Sequence, residues 1–220
     1  MNPAPGLIVA ACAFGAAISV GRAAPRLWLA ATLAGGAALL LAALPILLGA
    51  PEWSWRSSLA FGGERLFLRL DAISALFLAL LGLVGGAGTI YSREYWNGSA
   101  HPRSAAAGRT WWSVILLCMA SILVSSNGLH FLVSWELFTL ASYFLITLDR
   151  GRSGVRAAGW LYLAASHAAT LCLFAFFAAL ASHTGSWDLG PLREHAAPAP
   201  LFWLALVGFG IKAGVFPLHV

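Results

Sequence analysis

Charge is what these 220 residues lack. Asp, Glu, Lys and Arg make up 10% of the chain against 60% hydrophobic residues, and mean hydropathy is +0.82. A soluble domain carries about 25% charged residues, so this balance excludes an ordinary water-soluble fold and points to a membrane protein. Lysine is almost absent, Lys212 being the only one. The net charge of +5 therefore comes from arginine, which stands at loop positions with no aromatic-interleaved basic patch. That distribution fits membrane topology and argues against a nucleic-acid partner. Cysteine is scarce too. Cys12, Cys118 and Cys172 fall in apolar runs without CxxC spacing, the pattern of small core residues rather than of a disulfide framework or metal site. No HExxH, P-loop, dinucleotide fingerprint or Ser–His–Asp set is present, so no catalytic residue, metal ligand or cofactor-binding motif is assigned. Met1-Asn2-Pro3-Ala4-Pro5 has no positive n-region, which makes the first apolar run a retained span rather than a signal peptide.

Long apolar runs are what the chain has. Seven are expected as spans, over Gly6–Val20, Leu27–Ala50, Leu70–Tyr91, Trp111–Ser126, Leu129–Leu148, Ala157–Ser182 and Leu201–Val220. The fold class is thus all-α, a polytopic transmembrane helix bundle. At 1.5 Å per residue a helix needs about 20 residues to cross the hydrocarbon, which makes the first and fourth runs short. Pro45 interrupts the second, Asn127-Gly128 reads as a tight turn between the fourth and fifth, and Gly82 with Gly86 forms a weak GxxxG packing signal in the third. Odd-numbered connections carry Arg22, Arg26, Arg93, Arg103, Arg109, Arg150, Arg152 and Arg156, while even-numbered ones carry only Arg56, Arg65, Arg69 and Arg193. The positive-inside rule then places the odd connections in the cytoplasm and the N-terminus outside a bacterial-type inner membrane. Tryptophans near span ends, among them Trp28, Trp53 and Trp96, suit an interfacial belt.

Three ionisable residues lie deep in these spans. Counting helix rise, Glu136 is about 10 Å and Lys212 about 16 Å from the outer ends of the fifth and seventh, and His167 about 15 Å from the inner end of the sixth. All three fall in the middle third of a ~30 Å core. An ammonium at that depth costs roughly 2.5–3.5 kcal/mol on insertion scales, so it needs a partner or a task. Around Lys212 the glycines 208, 210 and 214, with Pro217, mark a broken or kinked segment. Each residue also has a bland reading: a structural salt bridge for Glu136 and Lys212, and an interhelical hydrogen bond for His167.

The chemistry of the three types is suited to proton transfer. A glutamate ordinarily titrates near ~4.3 and a lysine near ~10.4, too far from neutrality to exchange protons readily. Desolvation raises an acid and lowers an amine, bringing both towards pH 7, and histidine needs little shift to join them. Glu136, Lys212 and His167 are the candidate proton-relay residues. Tyr143, seven residues after Glu136 on the same helical face, and His219, beyond Pro217, are candidate extensions of the path. Asp71 reads as a helix cap, and His130 as interfacial.

These residues also carry a resemblance. Ser134-Trp135-Glu136-Leu137-Phe138-Thr139-Leu140-Ala141-Ser142-Tyr143 resembles the fifth-span motif of the antiporter-like subunits of respiratory complex I and its relatives. Gly210-Ile211-Lys212-Ala213-Gly214-Val215-Phe216-Pro217-Leu218-His219-Val220 resembles their seventh-span motif. Asp71-Ala72-Ile73-Ser74-Ala75-Leu76-Phe77 and Tyr91-Ser92-Arg93-Glu94-Tyr95 fit the third span. Leu161-Tyr162-Leu163 with Ser166-His167 is most similar to the branch in membrane-bound hydrogenases and formate hydrogenlyase. The resemblance covers about residues 65–220. It implies a proton-conducting subunit built on two inverted five-helix repeats, each with a broken helix, and matches Glu136 and Lys212 to the key pair of its first half-channel. Family members continue past the position of Val220 into a second repeat. Residues 1–110 are then three N-terminal spans, and 111–220 are four spans of an incomplete first repeat, in a fragment or a half completed by another chain.

The leading functional expectation is a proton-translocating subunit of a multisubunit redox complex, without a redox cofactor of its own, whose partners are other membrane subunits, the lipid bilayer and protons. A sodium/proton antiporter module is the second reading. A non-conducting scaffold, with Glu136 and Lys212 as one structural salt bridge, is the third.

Overall fold

The computed structural model describes residues 2–99, 101–102, 104–190 and 199–215. Within them the chain forms helices α1 (Ala4–Val20), α2 (Pro25–Leu47), α3 (Ala72–Tyr95), α4 (Ala105–Val124), α5 (Gly128–Ile146), α6 (Ser153–Thr184) and α7 (Ala199–Ala213). Local chemistry sets several of these starts. Prolines stand in the first turns of α1 and α2, where a missing N–H costs nothing. Side chains of Asp71 and Asn127 cap α3 and α5. Among the described residues, five helices, α2 to α6, are long and apolar enough to cross a membrane, while α1 and α7 are shorter, at 17 and 15 residues. Outward faces stay apolar: Val84, Leu171 and Phe202 are exposed. Water would penalise such surfaces and hydrocarbon does not.

A β-hairpin joins α2 to α3, where the sequence reading had only a loop. Strands β1 (Trp53–Phe61) and β2 (Glu64–Leu70) pair antiparallel. Gly62 and Gly63, at φ +63° and +84°, form the two-residue turn between paired Phe61 and Glu64. Two successive left-handed residues match the twist of a tight hairpin, and only glycine adopts that pairing freely. The hairpin closes over one end of the bundle: Leu70 joins Phe14, Leu39, Leu78 and Leu116 in a core contributed by α1 to α4. A second core, of Leu132, Leu173 and Phe177 with Phe209 packed against it, joins α5, α6 and α7.

Backbone hydrogen bonds gather the even-numbered connections at one end. Ser126 N–H donates to Phe67 O at 2.8 Å, Gly128 N–H to Trp187 O at 2.8 Å, and Leu189 N–H to Ser126 O at 2.8 Å. The buried Asn127 amide completes the junction, its Nδ2 donating to Glu64 Oε2 at 3.1 Å and Asp188 Oδ1 at 3.3 Å. At the opposite end Arg109 donates from Nε to Gly21 O at 2.8 Å and from Nη1 to Trp96 O at 3.2 Å, tying together the first and third connections. This alternation is the one that helices crossing in turn require.

Two local expectations need correction. Arg109 is not a loop charge: it lies inside α4 and is 6% exposed. Its guanidinium meets the carbonyls that close α1 and α3, where helix dipoles favour a cation, so the helix runs through it. For the same reason α4 begins at Ala105 rather than Trp111, reaches 20 residues, and is not short. His130, in the first turn of α5, is enclosed by protein rather than open to its surroundings, because the hairpin tip folds over it and its Nε2 lies 3.2 Å from Phe61 O.

Helix packing rests on a glycine pair across α2 and α3 rather than on a GxxxG within α3. A Cβ at Gly82 would lie 2.6 Å from the Gly36 carbonyl oxygen, whereas one at Gly86 meets nothing nearer than Leu33 at 3.9 Å. Gly82→Ala should therefore lower stability by about 1–3 kcal/mol through overpacking. Gly86→Ala should be neutral or stabilising, by up to about 1 kcal/mol. Thermal unfolding in detergent checks the contrast, and equal midpoints would remove the glycine contact from the account. Asp71 gives a pH test outside the spans. The Ser74 N–H that it caps at 2.8 Å, more than Arg69 nearby, holds its carboxyl below the ordinary 3.8. A depressed acid stabilises above its unfolded value, so the cap's contribution is complete above pH 3.8 and fades as pH falls through the folded value. Asp71→Asn, which caps without titrating, should flatten that part of the acid-unfolding curve.

Candidate functional site

The deep ionisable residues stand on three consecutive helices. Asn127 Oδ1 accepts from Leu129 N–H at 3.1 Å and sets the start of α5. One face of that helix then carries Glu136 and, three residues on, Thr139. On α6 the same spacing pairs His167 with Thr170. Lys212 is the second-last residue of α7. Gly214, at φ +67°, ends that helix: its N–H donates to Ile211 O at 3.1 Å and Val215 N–H donates to Gly210 O at 3.0 Å. This is a Schellman ending with glycine in the left-handed position. Lys212 thus sits where the helix dipole is negative, a placement that favours a cation.

Glu136 is the hub. Lys212 Nζ lies 3.5 Å from its Oε1 and donates to Thr139 Oγ1 at 3.0 Å. The Thr170 hydroxyl donates to Oε1 as well. On the other oxygen, His167 Nε2 stands 3.6 Å from Oε2. The Lys212 side chain is 5% exposed, Glu136 26% and His167 49%. Trp135 adds its ring face 5.6 Å from the ammonium, close enough for a cation–π contribution. The remaining ring nitrogen of His167, Nδ1, lies 2.9 Å from Leu163 O. A carbonyl only accepts, so Nδ1 carries the hydrogen.

A cavity of about 530 Å³ adjoins this group, with Thr139, Ser142, Tyr162, Ser166 and Lys212 among its walls. Glu136, His167 and Lys212, expected at one depth, are brought together. Tyr143 is not joined to Glu136: its ring packs on Phe144 and beside Gly159, with the Arg150 guanidinium 5.9 Å above it. Seven residues from Glu136, it has passed to the C-terminal end of α5. His219 and Pro217 lie outside the described residues. Thr139, Thr170, Trp135 and Tyr162 were not singled out from sequence. Spacing of three from Glu136 and from His167 was a usable signal for the two threonines, while Trp135 and Tyr162 stood inside the family-like motifs without being given a role.

A sealed ammonium beside one carboxylate makes a strong stability prediction. Removing one partner of a buried pair costs about 3–5 kcal/mol, because the other charge is left uncompensated. Glu136→Gln should approach that cost in thermal unfolding, whereas the double variant Glu136→Gln/Lys212→Met should recover most of it. Additive losses would show that the two side chains are not coupled.

Residues 125–220 match the family described as NADH:quinone oxidoreductase/Mrp antiporter, TM. Hydrogenase-4 component B of Escherichia coli (strain K12) is 30% identical over 158 residues, covering 70% of this chain and 23% of that protein. Among solved structures, a chain of respiratory complex I from Thermus thermophilus with bound aureothin is 27% identical, with a TM-score of 0.69 over 97% of this chain and 45% of its own. A chain of the Mrp complex from Dietzia sp. DQ12-45-1b, at 24% identity and a TM-score of 0.79, shares the fold over 98% of this chain and 24% of its own. This chain spans about a quarter of the length of the first curated relatives that it matches. The protein belongs with the antiporter-like membrane subunits of the complex I, Mrp and hydrogenase type.

Proposed function

We propose that the chain carries one half of a proton-transfer path within a multisubunit redox complex of the complex I and group 4 hydrogenase type. The observation behind this reading is the His167–Glu136–Lys212 contact. With Nδ1 committed to Leu163 O, the facing edge of Nε2 and Oε2 accommodates one proton, held by the imidazole or by the carboxyl. Lys212 approaches the other carboxylate oxygen and competes for the same negative charge. While the ammonium is close, Glu136 stays ionised and the proton rests on His167. When the amine loses its proton or withdraws, Glu136 takes the proton from His167. The cavity beside Lys212, with Thr139, Ser142, Tyr162 and Ser166 in its otherwise apolar wall, is wide enough for a chain of waters, at about 30 Å³ each, and supplies the next carrier.

The basic odd-numbered connections favour a cytoplasmic position for that end and an outside N-terminus, in a bacterial-type inner membrane. Other membrane subunits are the partners, with the bilayer as solvent and protons as cargo. The family description, which names Mrp antiporters beside NADH:quinone oxidoreductase, favours one second reading, a sodium/proton antiporter module.

Lys212→Arg in the intact complex, assayed for proton uptake in inverted membrane vesicles, separates these ideas. Arginine keeps the charge and does not deprotonate. Translocation should fall at least about tenfold, the loss of one effective proton carrier, with assembly preserved. Full translocation by Lys212→Arg would end the relay role, and loss of assembly instead would favour a scaffold pair. Translocation that requires added sodium would favour the antiporter module. His167→Ala should slow proton delivery and be partly rescued by added imidazole, which a packing role would not allow.

A further inference from the structure

At the end of the bundle opposite the hairpin, a groove of about 1090 Å³ runs between the third and fifth connections. Arg150 and Arg152 line it, and Asp149 is the acid beside them. The charges are not cancelled: Asp149 approaches Arg152 only to 4.0 Å, and Arg150 is in no ion pair among the described residues. Arg150 is nevertheless held in place. Its guanidinium lies 5.4 Å from the Phe144 ring and 5.9 Å from the Tyr143 ring, and its carbonyl accepts from Arg156 Nη1 at 3.0 Å. Cation–π attraction to aromatic faces biases an arginine's position while leaving its donors free.

The same segment supplies an apolar stretch, Leu145, Ile146 and Leu148, and the facing side carries Tyr95, Trp96 and Pro102 with the polar His101 and Ser104. Tyr95 and Ile146 are the last residues of α3 and α5, so the groove lies where spans leave the hydrocarbon and headgroups begin. Two guanidiniums next to an aliphatic stretch suit a phosphate ester carrying an acyl chain. Arginine binds such phosphates in bidentate fashion, and each cationic residue near an anionic membrane surface contributes about 1 kcal/mol.

We propose that this groove is a binding site for the phosphodiester group of an anionic phospholipid, with Arg150 and Arg152 as its ligands and Leu145–Leu148 as the bed of an acyl chain. Leu145 and Ile146 also line the cavity that holds Lys212, so an occupant braces the inner wall of that cavity. The site does not rest on the proton-transfer reading.

The test uses the full chain purified in neutral detergent and titrated with phosphatidylglycerol or, separately, phosphatidylcholine, with binding read by native mass spectrometry and by thermal midpoint. Phosphatidylglycerol should bind more tightly and raise the midpoint further. Arg150→Ala/Arg152→Ala should weaken phosphatidylglycerol binding roughly thirtyfold, about fivefold per arginine, and weaken phosphatidylcholine much less, since its own choline ammonium offsets the phosphate charge. Arg22→Ala/Arg26→Ala removes the same charge from exposed positions of the same end and should have little effect. Equal weakening by the two double variants would mean diffuse attraction, and no weakening by the first would mean another site; either overturns the proposal. Inorganic phosphate reproducing the whole midpoint shift would assign the site to the free ion and overturn the lipid. If Arg150→Ala disturbs folding, Arg152→Ala alone, on a side chain 77% exposed, should still weaken binding about fivefold.

Discussion

An ammonium sealed inside a membrane protein must be given a counter-charge, and most of the described architecture around α5, α6 and α7 is arranged to give Lys212 one. Its carboxylate partner comes from a different helix, with two threonine hydroxyls and an imidazole completing the shell. The end of α7 assists, since Lys212 occupies the last turn and Gly214 closes the helix immediately after it. A helix that stops inside a bilayer exposes carbonyls which lipid cannot satisfy. Here the Schellman bonds satisfy two of them, and the lysine benefits from the dipole of the others. The helix end and the buried cation are one device.

The two ends of the bundle solve different problems. At the hairpin end, one buried asparagine caps α5 and draws in carboxylates from β2 and from the segment after α6. The rigid start of the helix carrying Glu136 is therefore tied to elements distant in sequence. At the other end Arg109 gathers two helix C-termini. Both are polar side chains spent on backbone or capping groups, the economical arrangement where water is scarce.

How much was legible beforehand depended on the reach of each signal. Apolar runs longer than a helix turn report spans directly, so the bundle and its alternating connections were readable. Glu136, His167 and Lys212 were readable because an ionisable residue in an apolar run is conspicuous by itself. Arg109 misled because its compensation, carbonyls at residues 21 and 96, is contributed from far along the chain. Gly82 misled similarly: its partner is Gly36 rather than the nearby Gly86. The Gly62-Gly63 turn, by contrast, was a local signal for a hairpin that the apolar pattern around it obscured.

Membrane class, helical content, and the identity of the charged residues follow from composition and local pattern, because burial in lipid is penalised residue by residue. Which oxygen of Glu136 meets Lys212 and which meets His167, the tautomer that Leu163 imposes, and the displacement of Tyr143 towards Arg150 were decided only in the tertiary structure. Those outcomes depend on helix rotation and axial register, which are set by packing between helices and leave no period in the sequence of any one of them.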